Sequence, residues 1–396
     1  MLSFLRSKLD GRKPYQLLKR LAHDLNPSSE SSPGQLLSTR NSSSLSDVSA
    51  GNEGSEENVS KRYAELEEFL AAAASNGVFN GKPVKPEEIE KCISIAVDRD
   101  ILFAIALRIN DCGKELRRVV SNVWNLLLKL QHPKTREFSL VTYLTTHPGC
   151  ISTLFGSYAS GGPEGAVINI GVMLRDSLKS PEISRYVLAQ DLIPRLFDVI
   201  ISPNFDVSAD AFQTLREALT ANKDIGAAWL RQHYEFFFGK YLKLLDASEE
   251  DSYVTVRQAL NLLSMIILDR AFMKVMLRCV DDEALLKHIL MLLSHKSRVI
   301  EVEAFHVLKV FVANPKKKSK ISKMLTDNTA RIVKLLDRIE EVRPDDKEFL
   351  LDKRAVVAKL EAATLVVSES EVSHRESRAI TPPSVAPTLS NPAPSF

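Results

Sequence analysis

The groups in this chain that could attack an ester, hold a metal or move a proton are four cysteines, eight histidines and a large acidic complement, and their spacing decides what they can do. Cys92, Cys112, Cys150 and Cys279 lie far apart, with no C-x-x-C pair to begin a zinc or redox site, so they read as buried thiols. The histidines are dispersed, with no H-E-x-x-H, and no G-x-S-x-G elbow offers a serine nucleophile. His306 falls inside the apolar run from Ala304 to Ala313, where a packed imidazole is expected rather than a catalytic one. Asp281-Asp282-Glu283 and Asp345-Asp346 precede helical patterns, where carboxylates favour the positive end of the helix dipole.

Phosphate chemistry fares no better. Gly77 to Lys82 has the wrong spacing for a P-loop and runs into Pro83, and Gly161-Gly162-Pro163-Glu164-Gly165 lacks the strand and helix that a nucleotide loop requires, so it reads as a helix-connecting turn. Lys316-Lys317-Lys318-Ser319-Lys320 is the densest basic run and reads as a solvated loop, with an acidic partner loop left open. No D-x-[DN]-x-[DN]-G loop supports calcium binding. With no nucleophile, metal set or phosphate cradle, the expectation is a chain with no enzyme activity, cofactor, metal or small-molecule substrate.

Composition agrees with a folded protein. The 396 residues are 44% hydrophobic and 26% charged, which supports a core. Basic and acidic residues number 52 and 50, and the net charge of +2 gives no global reason to favour nucleic acid or an anionic membrane. Leu2, Phe4 and Leu5 stand among basic residues without the apolar stretch of a secretory signal, no segment approaches the roughly 20 apolar residues of a membrane span, and the lipidation signals are missing. A cytoplasmic protein, monomeric on its own, is expected.

Such a chain must act through its surface, and helices must build that surface. Residues 1–25 read as an N-terminal amphipathic helix, with Pro14 ahead of Leu17, Leu18, Leu21 and Leu25. Residues 26–60 turn to Ser, Asn, Gly and Glu and read as a disordered linker, and 366–396 read as a disordered Pro/Ser-rich tail. Between them, 61–365 carries apolar residues at helical spacing, as in Tyr63, Leu66, Phe69 and Leu70 or Val120, Val123, Leu127 and Leu130. Breaks fall at Pro133, Pro148, Gly161 to Pro163, Pro181, Pro203, Asp246 to Asp251 and Asn314-Pro315.

A weak repeat sets the fold class. Ala211-Phe212-x-x-Leu215-Arg216 matches Ala304-Phe305-x-x-Leu308-Lys309, with looser copies at Leu174-Arg175 and at Ala259-Leu260-x-x-Leu263. From Leu174 to Leu215, Leu263 and Leu308 the intervals are 41, 48 and 45 residues, the period of armadillo or HEAT units of two or three helices. One such unit cannot bury its apolar face alone, so the expected fold is an all-α helical solenoid, a right-handed superhelix with a long concave surface suited to protein binding.

The stretch from Lys296 through Ala304-Phe305-His306-Val307-Leu308 to Asn314-Pro315 resembles the signature of the calcium-binding protein 39 (Mo-twenty-five) family. The likeness continues in Gly171-x-Met173-Leu174-Arg175, Ala209-Asp210-Ala211-Phe212, Gln232-His233-Tyr234-Glu235, Tyr253-Val254-Thr255-x-Arg257-Gln258 and Leu268-Asp269-Arg270, and covers roughly residues 62 to 362. It implies a non-catalytic scaffold whose concave face binds and activates germinal-centre (sterile-twenty type) protein kinases or a related pseudokinase. It also implies a C-terminal pocket for the pseudokinase's Trp-Glu-Phe tail.

Carried over position by position, the resemblance assigns Phe205, Tyr253, Arg257 and Asn261 to the kinase-facing surface, Asn261 standing where the family has Lys. Arg and Tyr are typical interface anchors; Phe205, opening a helix, is either a contact or core. The tail pocket would take Arg270, Met273 and Leu290, where the family shows Arg, Phe and Met, with Phe272 as the ring donor if the register shifts by one. The alternative function is a general HEAT or armadillo adaptor for other protein, RNA or lipid partners, using Lys316 to Lys320 as an electrostatic patch.

Overall fold

The computed structural model describes residues 13–25, 53–160, 162, 165–190, 192–202, 204–246, 253–342 and 344–379, with the side chains of 53–60, 342 and 366–379 left out. Most of the segment read as a linker, residues 26–52, lies outside the described residues, as do 1–12 and the last part of the tail, 380–396. The helices nonetheless extend past the expected borders: one begins at Glu53, within the stretch read as linker, and one ends at Ala379, within the stretch read as tail.

Twenty α-helices follow one another through the described residues. They are α1 (Pro14–Leu25), α2 (Glu53–Ala74), α3 (Pro86–Asp98), α4 (Ile101–Arg108), α5 (Lys114–Leu128), α6 (Ser139–Thr146), α7 (Pro148–Ala159), α8 (Ala166–Leu178), α9 (Pro181–Ala189) and α10 (Leu192–Ile200). Then come α11 (Phe205–Thr220), α12 (Lys223–Gln232), α13 (Tyr234–Leu244), α14 (Tyr253–Leu268), α15 (Met273–Cys279), α16 (Glu283–Leu292), α17 (Arg298–Ala313), α18 (Ser319–Asp327), α19 (Thr329–Val342) and α20 (Lys347–Ala379). Prolines open α1, α3, α7 and α9, where the missing N–H costs nothing because the first turn has no helical acceptor for it. One short hairpin, β1 (Val78–Phe79) with β2 (Lys82–Pro83), interrupts the series. It turns at Asn80-Gly81, both with positive φ (50° and 74°), the left-handed pair that a two-residue hairpin needs.

The chain divides into two compact units between Lys240 and Tyr241. In the first unit every third helix packs on the next: α2 on α5, α5 on α8 and α8 on α11 form one ladder. A second runs α3, α6, α9, α12 and a third α4, α7, α10. In the second unit α14 packs on α17 and α17 on α20, again a step of three. A stride of three helices is the armadillo arrangement, so the repeat is a three-helix unit. The repeat leucines Leu174, Leu215, Leu263 and Leu308 all sit on third helices, α8, α11, α14 and α17, and all are buried. Each buried leucine stabilises by about 1.5–3 kcal/mol relative to leaving it in water.

Polar groups join the ladders where two helices approach closely. On α11, Asp210 is buried; Arg175 Nη2 on α8 donates to its Oδ1 at 2.9 Å, and the Tyr158 hydroxyl on α7 donates to its Oδ2 at 2.6 Å. Arg175 Nη1 also donates to Thr214 Oγ1 at 3.0 Å. Burial and the Asp210 carboxylate hold the Tyr158 phenol well above its ordinary range, so it stays protonated and donates. Gly171 makes room for this: a Cβ there would stand 1.9 Å from Asp210 Oδ2. Asn222, at the end of a repeat motif, donates to Leu178 O at 2.7 Å and Ser184 Oγ at 2.9 Å, tying the start of α12 to the previous unit.

The second unit has its own buried carboxylate. Glu301 on α17 has no exposed surface and accepts from Arg298 at 2.7 Å and, at very short range, from Arg338 on α19. The residues that mark the family resemblance at Gly171, Arg175, Asp210 and Glu301 are therefore joints between helices.

Candidate functional site

Because α14 packs its Val256, Ala259, Leu260, Leu263 and Ile267 inward, the opposite side of the same helix faces out. That side carries Arg257 and Asn261, both exposed, with Tyr253 partly exposed one turn earlier. Met265 and Leu268 continue the stripe, at four- and three-residue steps that keep them on one face. Among the described residues Arg257 has neither an ion pair nor a hydrogen bond, leaving its planar fork open for a carboxylate on a partner. The helix beneath is held by the buried Tyr241, whose hydroxyl donates to Ala259 O at 2.6 Å. An exposed stripe on a rigidly packed helix is the kind of surface that can bind without rearranging.

Phe205 is 63% exposed as the first residue of α11, so it is a surface ring and not core. Asn204 caps that helix by accepting from Asp206 N at 3.1 Å and Val207 N at 3.2 Å, which fixes the direction of Phe205. Phe205 belongs to the first unit, and Tyr253, Arg257 and Asn261 to the second. On α8, the neighbour of α11 in its ladder, Ile168 and Val172 are also exposed, one turn apart. Sequence reading missed them because two apolar residues on an otherwise buried helix look like core.

The three residues assigned to a tail pocket have unequal environments. Arg270 is exposed in the short turn Arg270–Phe272, whose start is capped by Asp269 accepting from Ala271 N at 2.9 Å. Met273, first in α15, is exposed, whereas Leu290 on α16 is buried and its neighbour Met291 faces outward. Phe272 is in the core at 1% exposure, so the shifted register does not supply a surface ring. Leu268 and Leu277 add exposed apolar area before and after Met273. The signal for Leu277 was available: it stands four residues after Met273, opposite the buried Val275 and Cys279.

The basic run that would serve an RNA or lipid partner is largely engaged elsewhere. Lys317 Nζ donates to Val312 O at 2.9 Å and Asn314 O at 2.6 Å, closing the carbonyl end of α17. Lys318 pairs with Asp281 at 3.4 Å and Lys320 with Glu283 at 3.2 Å. Burial also lowers the Lys317 ammonium. The run is thus an exposed loop, as read, with one lysine turned back as a helix cap and two in surface ion pairs.

The remaining chemical groups are packed away. Burial pushes the thiols of Cys92 and Cys112 up to about 12 and that of Cys150 higher still, so none presents a thiolate at neutral pH. His306 is partly buried, and desolvation with the nearby Lys309 holds its imidazole below the usual value. Gly162 and Gly165, with φ of 39° and 76°, lie in the turn between α7 and α8, as expected of that glycine cluster. Among the described residues no helix is long and apolar enough to cross a membrane, and no group of His, Cys, Asp and Glu is gathered to hold a metal.

With this geometry in view, comparison with known proteins gives a consistent answer. The chain is 30% identical over 304 residues to the human "Calcium-binding protein 39-like", covering 77% of this chain and 86% of that one. It is 30% identical over 313 residues to "MO25-like protein 2" of Caenorhabditis elegans, covering 78% and 90%. The "Degreening-related gene dee76 protein" of Auxenochlorella protothecoides is 38% identical over 218 residues, 55% of this chain and 66% of its own length. Among solved structures, the chain is similar to a designed armadillo repeat protein in complex with a peptide, at a TM-score of 0.43 and 12% identity, over 65% of this chain and 99% of that one. Residues 5–363 match the Mo25-like family as a whole, and the chain belongs to that family.

Proposed function

We propose that this chain is a non-catalytic scaffold that binds, and by binding activates, a protein kinase of the germinal-centre (sterile-twenty type) class or a related pseudokinase in the cytoplasm. The observation that carries the reading is the outward stripe of α14, where Tyr253, Arg257 (unpaired among the described residues) and Asn261 stand on a helix whose other side is locked into the core. Membership of the Mo25-like family supports the scaffold role, the resemblance read in the sequence suggests the partner class, and the helix offers a rigid place to bind it. Arg257 forms the bidentate ion pair, Tyr253 contributes a flat amphipathic contact, and Asn261 replaces a cation with a neutral hydrogen-bonding group. A second contact at Arg270 and Met273 receives an aromatic-acidic tail, with exposed Leu268 and Leu277 widening the apolar area that surrounds Met273.

The rival reading, a general HEAT or armadillo adaptor for other protein, RNA or lipid partners, draws less support on its RNA and lipid side, because Lys317 caps α17 and Lys318 and Lys320 sit in surface ion pairs within the fold. Affinity purification of the intact protein, followed by identification of bound kinases, tests the proposal. A kinase of the stated class that is recovered with the native chain and lost with Arg257→Ala supports it; equal recovery with both overturns it.

A further inference from the structure

Neither proposed binding surface uses the basic run Lys316 to Lys320, and the run carries a serine. Ser319 is exposed, and among the described residues its hydroxyl has no hydrogen-bond partner. The five residues before it, Asn314 to Lys318, lie outside any helix, with Pro315, Lys316 and Lys318 exposed. The lysines around it are not equivalent. Lys317 is committed to the carbonyls of Val312 and Asn314. Lys318 and Lys320 pair with Asp281 and Glu283 while their side chains stay 64% and 77% exposed. Lys316, three residues before the serine, is exposed, and among the described residues its ammonium has neither an ion pair nor a hydrogen bond. Ser319 is also the first residue of α18, which has no side-chain cap at Lys318 and no acidic residue in its first turn. The first bond that closes the helix over the serine runs from Ser322 N to Lys318 O at 2.9 Å, and an uncapped helix end opens readily.

We propose that Ser319 is a phosphorylation site, modified by a protein kinase of the class that selects serines preceded by cations. The proposal does not depend on the scaffold reading, because here the chain is the substrate of a kinase. Ser319 Oγ forms a bond to the γ-phosphorus of a nucleoside triphosphate as the bond from that phosphorus to the β,γ-bridging oxygen breaks. The hydroxyl proton passes to the kinase's catalytic aspartate and a nucleoside diphosphate leaves. Lys316 and Lys318, three and one residues before the acceptor, meet carboxylates in the kinase's substrate groove, the kind of charge pattern by which kinases tell substrates apart. A kinase with a basic groove would meet like charge instead. The product is an anion of charge about −2 between Lys318 and Lys320 at the positive end of α18. It competes with Asp281 and Glu283 for both lysines and steadies a first turn that has no cap.

The test incubates the full, folded chain with magnesium ATP and the catalytic subunit of the cyclic-AMP-dependent protein kinase, a cation-directed probe, and in parallel with an acid-directed casein kinase. Cleavage after glutamate releases residues 304–340 as one fragment, in which mass spectrometry locates the phosphate. The cation-directed kinase should place it on Ser319, and the casein kinase should leave the fragment unmodified. Ser319→Ala should abolish the modification of the fragment, Ser322→Ala should leave it in place, and Lys316→Ala should lower kcat/KM for Ser319 about tenfold; circular dichroism establishes that each variant is folded. In the phosphorylated chain, amide exchange at Lys320, Ile321 and Ser322 should slow by about threefold. No phosphate on Ser319 in the folded chain, phosphate there only after denaturation, or equal modification by both kinases overturns the proposal. An undiminished rate in Lys316→Ala overturns the recognition by cations, and unchanged amide exchange overturns the steadying of α18.

Discussion

The joint between α8 and α11 and the outer stripe of α14 both carry arginines, and those arginines do opposite things. Arg175 is nearly covered and committed to Asp210 and Thr214; Arg257 is exposed and has no partner within the described fold. The first is held so that the solenoid keeps its stride. The second is the one we propose a partner takes hold of. The difference teaches how to separate structure from function in a repeat protein, where family-marking residues fall in both classes: those with a partner inside the chain are joints, and those on a rigid helix without one are the candidates for contacts.

Removing a joint should cost the most. Asp210→Ala leaves the largely buried Arg175 uncompensated and should destabilise by about 3–5 kcal/mol, read as a lowered urea midpoint. Next comes Gly171→Ala, which drives a methyl into the Asp210 carboxylate and should cost about 1–3 kcal/mol. The pair Gly171→Ala with Asp210→Ala should cost less than the two singles added, because the clash vanishes with the carboxylate; strict additivity would contradict the joint.

How much of this could be read from the sequence follows from the same division. The repeat was legible because third helices reuse an apolar-apolar-basic pattern, and Leu174, Leu215, Leu263 and Leu308 sit at equivalent buried positions. The three-helix stride was not, since first and second helices carry no comparable pattern. The buried stripe of α14 was readable from 3.6-residue periodicity, and its exposed side followed. Phe205 could not be placed, because an aromatic residue at a helix start is compatible with either environment. The solvated-loop reading of Lys316 to Lys320 agrees with the exposure of most of its lysines, but the partners of Lys317, Lys318 and Lys320 depend on carbonyls at a helix end and on Asp281 and Glu283, far away in sequence, and were not legible. The Asn80-Gly81 hairpin was missed although Asn-Gly is a strong turn signal, because strands of two residues are too short to show an alternating pattern.

Smaller effects sharpen the contrast. His306 has a depressed folded-state value, so the unfolded chain takes up the proton first as pH falls: its contribution is present above about 6.5 and is lost as pH drops through the folded value. His306→Gln should therefore flatten the loss of thermal stability between pH 7 and pH 5, by about a degree or two. Arg257→Ala, on the exposed stripe, should change stability by less than about 0.5 kcal/mol. It is the variant for which stability and function are expected to part company most widely.

The decisive measurement is the catalytic rate of a purified germinal-centre kinase domain, assayed alone, with the native chain and with folded Arg257→Ala. The account requires that the native chain raise the rate and that the variant leave it near the level of the kinase alone. Stimulation by Arg257→Ala equal to that of the native chain would contradict it.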